Sequence, residues 1–110
     1  MIAIAIAVAA AAAPSPPNQY FQVYNYPSID SCAKWTEYRT NKSDQVLEGW
    51  VLGFVTGQNA YRSGGGDVAH GTPGAGLVAW VDQYCAANPL DSVTTASFKL
   101  IKELDRRSSR

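Results

Sequence analysis

Leu77, Val78, Val81, Tyr84 and Cys85 recur at steps of three and four, the spacing that gathers side chains on one face of a helix and requires that face to be buried. Asn88-Pro89 ends this element, because proline disfavours the α conformation in the residue before it and has no backbone N–H to donate. Val93, Ser97, Leu100, Ile101 and Leu104 form a second such face. Asp91 or Ser92 stands ready to cap it, Leu90 is placed to fold back as a hydrophobic staple, and Lys99, Lys102, Arg106 and Arg107 lie where they suit the helix dipole.

Two further helices are expected upstream. Ser28, Asp30 or Ser31 can cap a short helix reaching Arg39, with Cys32 and Trp35 together on its inward side. After the turn Thr40-Asn41-Lys42-Ser43, with Ser43 or Asp44 as the next cap, Val46, Leu47, Trp50, Val51, Phe54 and Val55 repeat every four positions up to Tyr61. Trp50–Val55 alone would also suit a buried strand, and the length of the periodic stretch decides for helix. Gly49, Gly53 and Gly57 form a column within it. Each glycine costs a helix about 1 kcal/mol relative to alanine, so the column is read as close helix packing against a neighbouring backbone; a small-ligand groove over bare backbone is the other reading. Ser63–Gly76 is glycine-rich, lacks an apolar period and reads as a mobile loop, with Thr72-Pro73 or Gly76 opening the next helix. Gly64-Gly65-Gly66 is not followed by Gly-Lys-Ser/Thr, so it is not read as a phosphate loop.

The pattern thus predicts an all-α domain, a small four-helix bundle over 28–107, with a frayed tail at 108–110. Residues 1–13 are apolar and uncharged, end in small residues and precede Pro14-Ser15-Pro16-Pro17, which reads as a secretory signal peptide although no Lys or Arg comes before the run. Residues 14–27 are an extended arm, proline-rich and then aromatic, including Tyr24 and Tyr26. They are expected either to lie on the domain or to reach a partner or a second copy, so a homodimer is among the assemblies considered.

Composition narrows the function. Nine Lys and Arg balance nine Asp and Glu, giving no field to draw nucleic acid or an anionic membrane. Two cysteines match no metal or Cys-x-x-Cys pattern. An even count in an exported chain suggests a disulfide, with two inert buried thiols as the other reading. His70 is the single histidine and sits among glycines, so any Ser-His-Asp arrangement would need arbitrarily chosen partners. Asp82 with Asp91, and Glu103 with Asp105, read more simply as a solvated helix face and a cap. No catalytic, cofactor-binding or metal-ligating set is assigned. Trp50, Phe54 and Trp80, with Tyr24 and Tyr26, are the candidate partner surface.

Cys32-Ala-Lys-Trp35, the Gly53-Phe54 stretch leading to Asn59, and Trp80-Val-Asp-Gln-Tyr-Cys85-Ala-Ala-Asn-Pro-Leu-Asp91 running into Leu100 and Leu104 resemble the HdeA-like superfamily of small exported helical proteins. The resemblance implies a four-helix fold in which an early and a late helix are joined by a disulfide, here Cys32 to Cys85. It also implies a non-enzymatic periplasmic or secreted protein, without cofactor, that binds a protein partner or unfolded clients. The superfamily includes acid-activated chaperones and the Tai-type immunity proteins that neutralise amidase effectors of type VI secretion. Charged residues make up only 16% of this chain, against the dense charge of the chaperones, so an immunity-like binding module is the first expectation and an acid-activated holdase the second.

Overall fold

Four helices follow one another, α1 (Cys32–Thr40), α2 (Gln45–Tyr61), α3 (Gly74–Ala87) and α4 (Val93–Ser108), with short turns on either side of a longer glycine-rich connection between α2 and α3. The structure is a computed structural model that describes residues 3, 22–24, 30–62 and 64–108. The signal segment expected at 1–13, most of the 14–27 arm including Tyr26, the Ser28 cap and residues 109–110 lie outside the described residues. All named elements are helices, and the only extended pairing among the described residues is an isolated antiparallel bridge between Ser31 and Ser92. None of these helices is long and apolar enough to cross a membrane.

The capping residues set where the helices begin. The Ser31 hydroxyl accepts the Lys34 amide at 3.1 Å to open α1, and the Ser92 hydroxyl accepts the Thr95 amide at 2.9 Å to open α4. Asp44 precedes α2 without a side-chain cap bond, and Pro73 stands just outside α3, so that helix starts one residue later than a Thr72 cap with Pro73 as first helical residue would give. Along α3, Leu77, Val78, Val81 and Cys85 are buried; along α4, Val93, Ala96, Ser97, Leu100, Ile101 and Leu104 are. These stripes close over Leu47, Val51 and Val55 of α2 and over Trp35, the largest fully buried side chain.

A disulfide joins Cys32 to Cys85, whose Cα atoms are 4.7 Å apart. Backbone hydrogen bonds reinforce the same junction. The Cys32 amide donates to the Asp91 carbonyl at 2.8 Å, the Ala33 amide to the Pro89 carbonyl at 3.2 Å, and the Val93 amide to the Asp30 carbonyl. The start of α1 is therefore sewn to the α3–α4 turn both covalently and through the main chain.

Four expectations are corrected, the first being Val46, which its spacing places on the inward stripe of α2 but which is 56% exposed. A Cβ built on Gly49, Gly53 or Gly57 would meet nothing within 4 Å, so the column does not serve close helix packing among the described residues. The reason is angular: Gly49 and Gly53 follow Leu47 and Val51 by two positions, about 200° around the helix, which turns them away from the core. The glycine that does lie against another helix is Gly74, whose Cβ would sit 3.5 Å from Leu52 Cδ2. Leu90 does not fold back as a staple but is 99% exposed. The glycine-rich connection is anchored rather than loose in its second half: Val68 and Ala69 are buried in the core, and the Val68 amide donates to the Asn59 side chain at 2.8 Å. Asp67 accepts the amides of Ala69 and Gly71, which frames the left-handed turn at His70 (φ 50°) and Gly71 (φ 83°) and holds the Asp67 carboxyl below its ordinary range.

Candidate interaction groove

The face of α2 beside its buried stripe carries aromatic rings. Trp50 and Phe54 each precede a core position by one residue, so they sit at the edge of the buried face, half-covered. Their rings stack with centroids 5.7 Å apart and planes 13° from parallel. Phe98, from α4, meets Phe54 edge-on at 5.2 Å and 86°, an arrangement that aromatic quadrupoles favour. Gly49 and Gly53 lie beside the rings, and Thr94 closes the α4 side.

Across this surface runs the segment 22–24. The Trp50 indole Nε1–H donates to the Tyr24 main-chain carbonyl at 2.7 Å, while the Tyr24 residue itself remains 82% exposed. Gln22, Val23 and Tyr24 thus form one wall of a groove of about 400 Å³ whose other walls are Gly49, Trp50, Gly53, Phe54, Thr94 and Phe98. No lining residue carries a charge. The arrangement satisfies a main-chain acceptor with a rigid donor and offers apolar contact over backbone bare of side chains, which is the chemistry of peptide recognition.

Trp80 belongs to a different place. It stacks on Tyr84 at 5.5 Å and 16°, and the pair lines a second groove, about 390 Å³, with Lys99, Lys102, Glu103 and Arg106 of α4. The expected partner surface therefore divides: Tyr24, Trp50 and Phe54 come together, Trp80 stands apart from them, and Tyr26 lies outside the described residues. Gly49 and Gly53 of the glycine column form part of the groove's wall, whereas Gly57 does not line it. Phe98 and Thr94 carry no site expectation from the sequence, whereas Gln22 and Val23 belong to the 14–27 arm, expected either to lie on the domain or to reach a partner. Phe98 had a signal in the sequence, as a large apolar residue one position off the core stripe through Ser97, and in the structure it is 42% exposed.

Polar side chains tie the helices that hold the groove. Asp82 is not part of a plain solvated face: it accepts the buried Trp35 indole N–H at 2.7 Å and a two-pronged contact from Arg39 at 2.8 and 2.7 Å. Arg39 also reaches Asp44 at 3.4 Å and Glu48 at 3.9 Å, so one guanidinium spans carboxylates from α3, the α1–α2 turn and α2. Its pKa is raised, chiefly by the hydrogen bond to Asp82. Burial opposes ionisation of Asp44, but hydrogen bonds from Glu48 and the backbone, with the attraction of Arg39, bring its pKa below the usual carboxylate value. Glu48 is raised, because its proton is held by the bond to Asp44 and burial adds to the effect. At the other end Arg62 of the α2 terminus grips Asp105 of α4 with both terminal nitrogens, which lowers the Asp105 pKa. Asp105 is therefore an interhelical anchor, whereas Glu103 pairs locally with Arg106 and Arg107 and is lowered to about 2, first by the Arg106 hydrogen bond. Asp91 does not cap α4; its carboxylate accepts the Tyr84 phenol. His70 is exposed, and no group of three His, Cys, Asp or Glu side chains among the described residues is placed to hold a metal.

Taken together, these features define a small four-helix protein with one disulfide and an uncharged aromatic groove. The chain matches no protein-family model, no curated protein and no solved structure.

Proposed function

We propose that this chain is a non-enzymatic, exported protein-binding module of HdeA-like kind, immunity-like in its role, that engages its partner through the α2–α4 groove. The supporting observation is the groove itself, an exposed apolar surface with no charge in its walls and a rigid indole donor aimed at a peptide carbonyl. The disulfide fits export to an oxidising compartment. The test is a photo-crosslinking amino acid placed at Phe98 in the producing cell, with one at the exposed Glu37 of α1 as control. A discrete cross-linked protein at Phe98 and none at Glu37 is expected; equal labelling, or none at Phe98, overturns the assignment.

Asp44 and Glu48 beside Arg39, together with the Arg62–Asp105 pair, support a second reading, an acid-activated holdase. Asp44 and Asp105 have lowered pKa values in the folded state, so each stabilises the fold above its unfolded pKa and withdraws that stabilisation as pH falls through the folded value. Glu48 has the opposite sign. Its raised pKa favours the folded state once it is protonated, and that contribution disappears as pH rises through the folded value. The expected stability profile gains from Glu48 as acidification from neutrality protonates it, and falls on further acidification as Asp44 and Asp105, held below the ordinary carboxylate range, take their protons in turn. Urea midpoints taken between pH 2 and pH 8 check it, and a Glu48→Gln variant should lose the gain while keeping the fall. For the holdase itself, light scattering of an aggregating client at pH 2 should diminish when the protein is added; unchanged scattering removes this reading.

A further inference from the structure

The segment seated in the groove indicates what the groove is built to accept. Trp50 contacts residue 24 through its main-chain carbonyl and not through the tyrosine ring, which points into solvent with 82% of the residue exposed. Recognition at that position is therefore indifferent to the side chain and requires only an extended backbone with its carbonyl presented. The neighbouring space, about 400 Å³ between Val23, the Gly49–Gly53 backbone and the rings of Trp50, Phe54 and Phe98, admits a large apolar side chain and offers no partner to a charged one. Residues 18–27, Asn-Gln-Tyr-Phe-Gln-Val-Tyr-Asn-Tyr-Pro, suit that space in composition, with three tyrosines, a phenylalanine, a valine and no charge.

Building on the protein-binding reading above, we propose that the groove is the receptor for an extended, uncharged, aromatic-rich peptide segment of the partner protein, and that residues 22–24 occupy the place this segment takes. Held in the same chain, the resident segment competes at an effective concentration on the order of millimolar. It lowers the apparent affinity for any incoming segment by the fraction of molecules in which the groove is free. The partner succeeds by presenting the same backbone contact together with a better filling of the space over Gly49 and Gly53. Those two glycines are then needed for room at the binding face, which accounts for two helix-weakening residues at positions where a Cβ would meet nothing within 4 Å.

The experiment uses the full chain and a fluorescein-labelled synthetic peptide of residues 18–27, followed by fluorescence anisotropy. Val23→Asp places a charge in the uncharged groove and should expel the resident segment, so this variant should bind the peptide at least tenfold more tightly than the unaltered chain. In the Val23→Asp background, Trp50→Phe removes the carbonyl donor and Gly53→Leu fills the floor, and each should weaken the peptide at least tenfold. Gly53→Leu has no described neighbour within 4 Å of the new Cβ and exchanges glycine for a better helix former, so its thermal transition should not fall. A labelled peptide carrying Asp at the position of Val23 should not bind.

Absence of binding to the Val23→Asp chain, or binding that neither Trp50→Phe nor Gly53→Leu affects, overturns the inference. A concentration-dependent dimer that Val23→Asp abolishes also overturns it, because the occupant would then be a second copy of this chain. Cross-linking at Phe98 in cells without peptide binding defeats only the extended-segment inference; peptide binding without any cellular cross-link defeats the protein-binding reading on which it rests.

Discussion

Reduction of the Cys32–Cys85 disulfide is expected to lower the melting temperature by about 20 °C. The bridge joins residues 53 positions apart, and closing a loop of that size restricts the unfolded chain by about 4 kcal/mol on a chain-entropy treatment. Each kcal/mol moves the midpoint of a domain this small by roughly 4–8 °C. The loss acts mostly through the unfolded state. In the folded protein the opening of α1 stays bonded to the α3–α4 turn through the amides of Cys32, Ala33 and Val93, so the reduced chain retains the geometry of the junction while losing its covalent closure. Both cysteines are fully buried, so a reductant reaches the sulfurs only when the junction opens. Reduction at 25 °C should therefore be slow and should accelerate on heating. Thermal scans by circular dichroism with and without dithiothreitol, beside a Cys32→Ala/Cys85→Ala variant, measure the effect. The variant should fall by at least as much as the reduced protein, since it also loses two buried sulfurs. A midpoint unmoved by both would mean that the tie contributes nothing to the fold.

How far the sequence carries depends on whether a feature is set by one helix or by the relation between two. The inward faces of α3 and α4 were largely legible, because period alone fixes which side of an isolated helix is apolar: Leu77, Val78, Val81 and Cys85, then Val93, Ser97, Leu100, Ile101 and Leu104, are buried as the spacing requires, while Tyr84 of the same predicted face is only half-buried and Ala96 joins the core unpredicted. Outward features were less legible. The glycine column of α2 was visible, but its purpose depends on which chain segment lies over it, and that segment arrives from residues 22–24, some 26 positions upstream of Trp50. Asp82 reads as solvated because nothing nearby in sequence pairs with it; Trp35 and Arg39 reach it only after α1 docks on α3 at a particular register. Val68 and Ala69 are two small apolar residues in a glycine-rich stretch, too few to show a period, yet both are buried in the core, with the Val68 amide donating a hydrogen bond to the Asn59 side chain.

Asp82→Leu is expected to cost about 3 kcal/mol, in the upper part of the range for single substitutions, and Asp82→Asn about 1 kcal/mol. The difference comes from the two donors that the carboxylate satisfies. Trp35 is fully buried, so its indole N–H, deprived of the acceptor at 2.7 Å, has no route to water and bears its full desolvation penalty. Asparagine retains a carbonyl oxygen for that donor. Arg39 is about one-third exposed and already reaches Asp44, so after either substitution it turns toward that carboxylate and solvent, and its own loss is screened to the level of a surface pair. A double-mutant cycle separates the two. Trp35→Phe removes the donor along with some packing, so in the Asp82→Leu background it should cost at least 1 kcal/mol less than in the unaltered protein, the difference being the orphaned N–H. Arg39→Met paired with Asp82→Leu should show a coupling below about 1 kcal/mol. Urea midpoints at constant slope give all of these values. If Asp82→Asn and Asp82→Leu prove equally damaging, the ion pair with Arg39 rather than the indole bond carries the side-chain tie between α1 and α3.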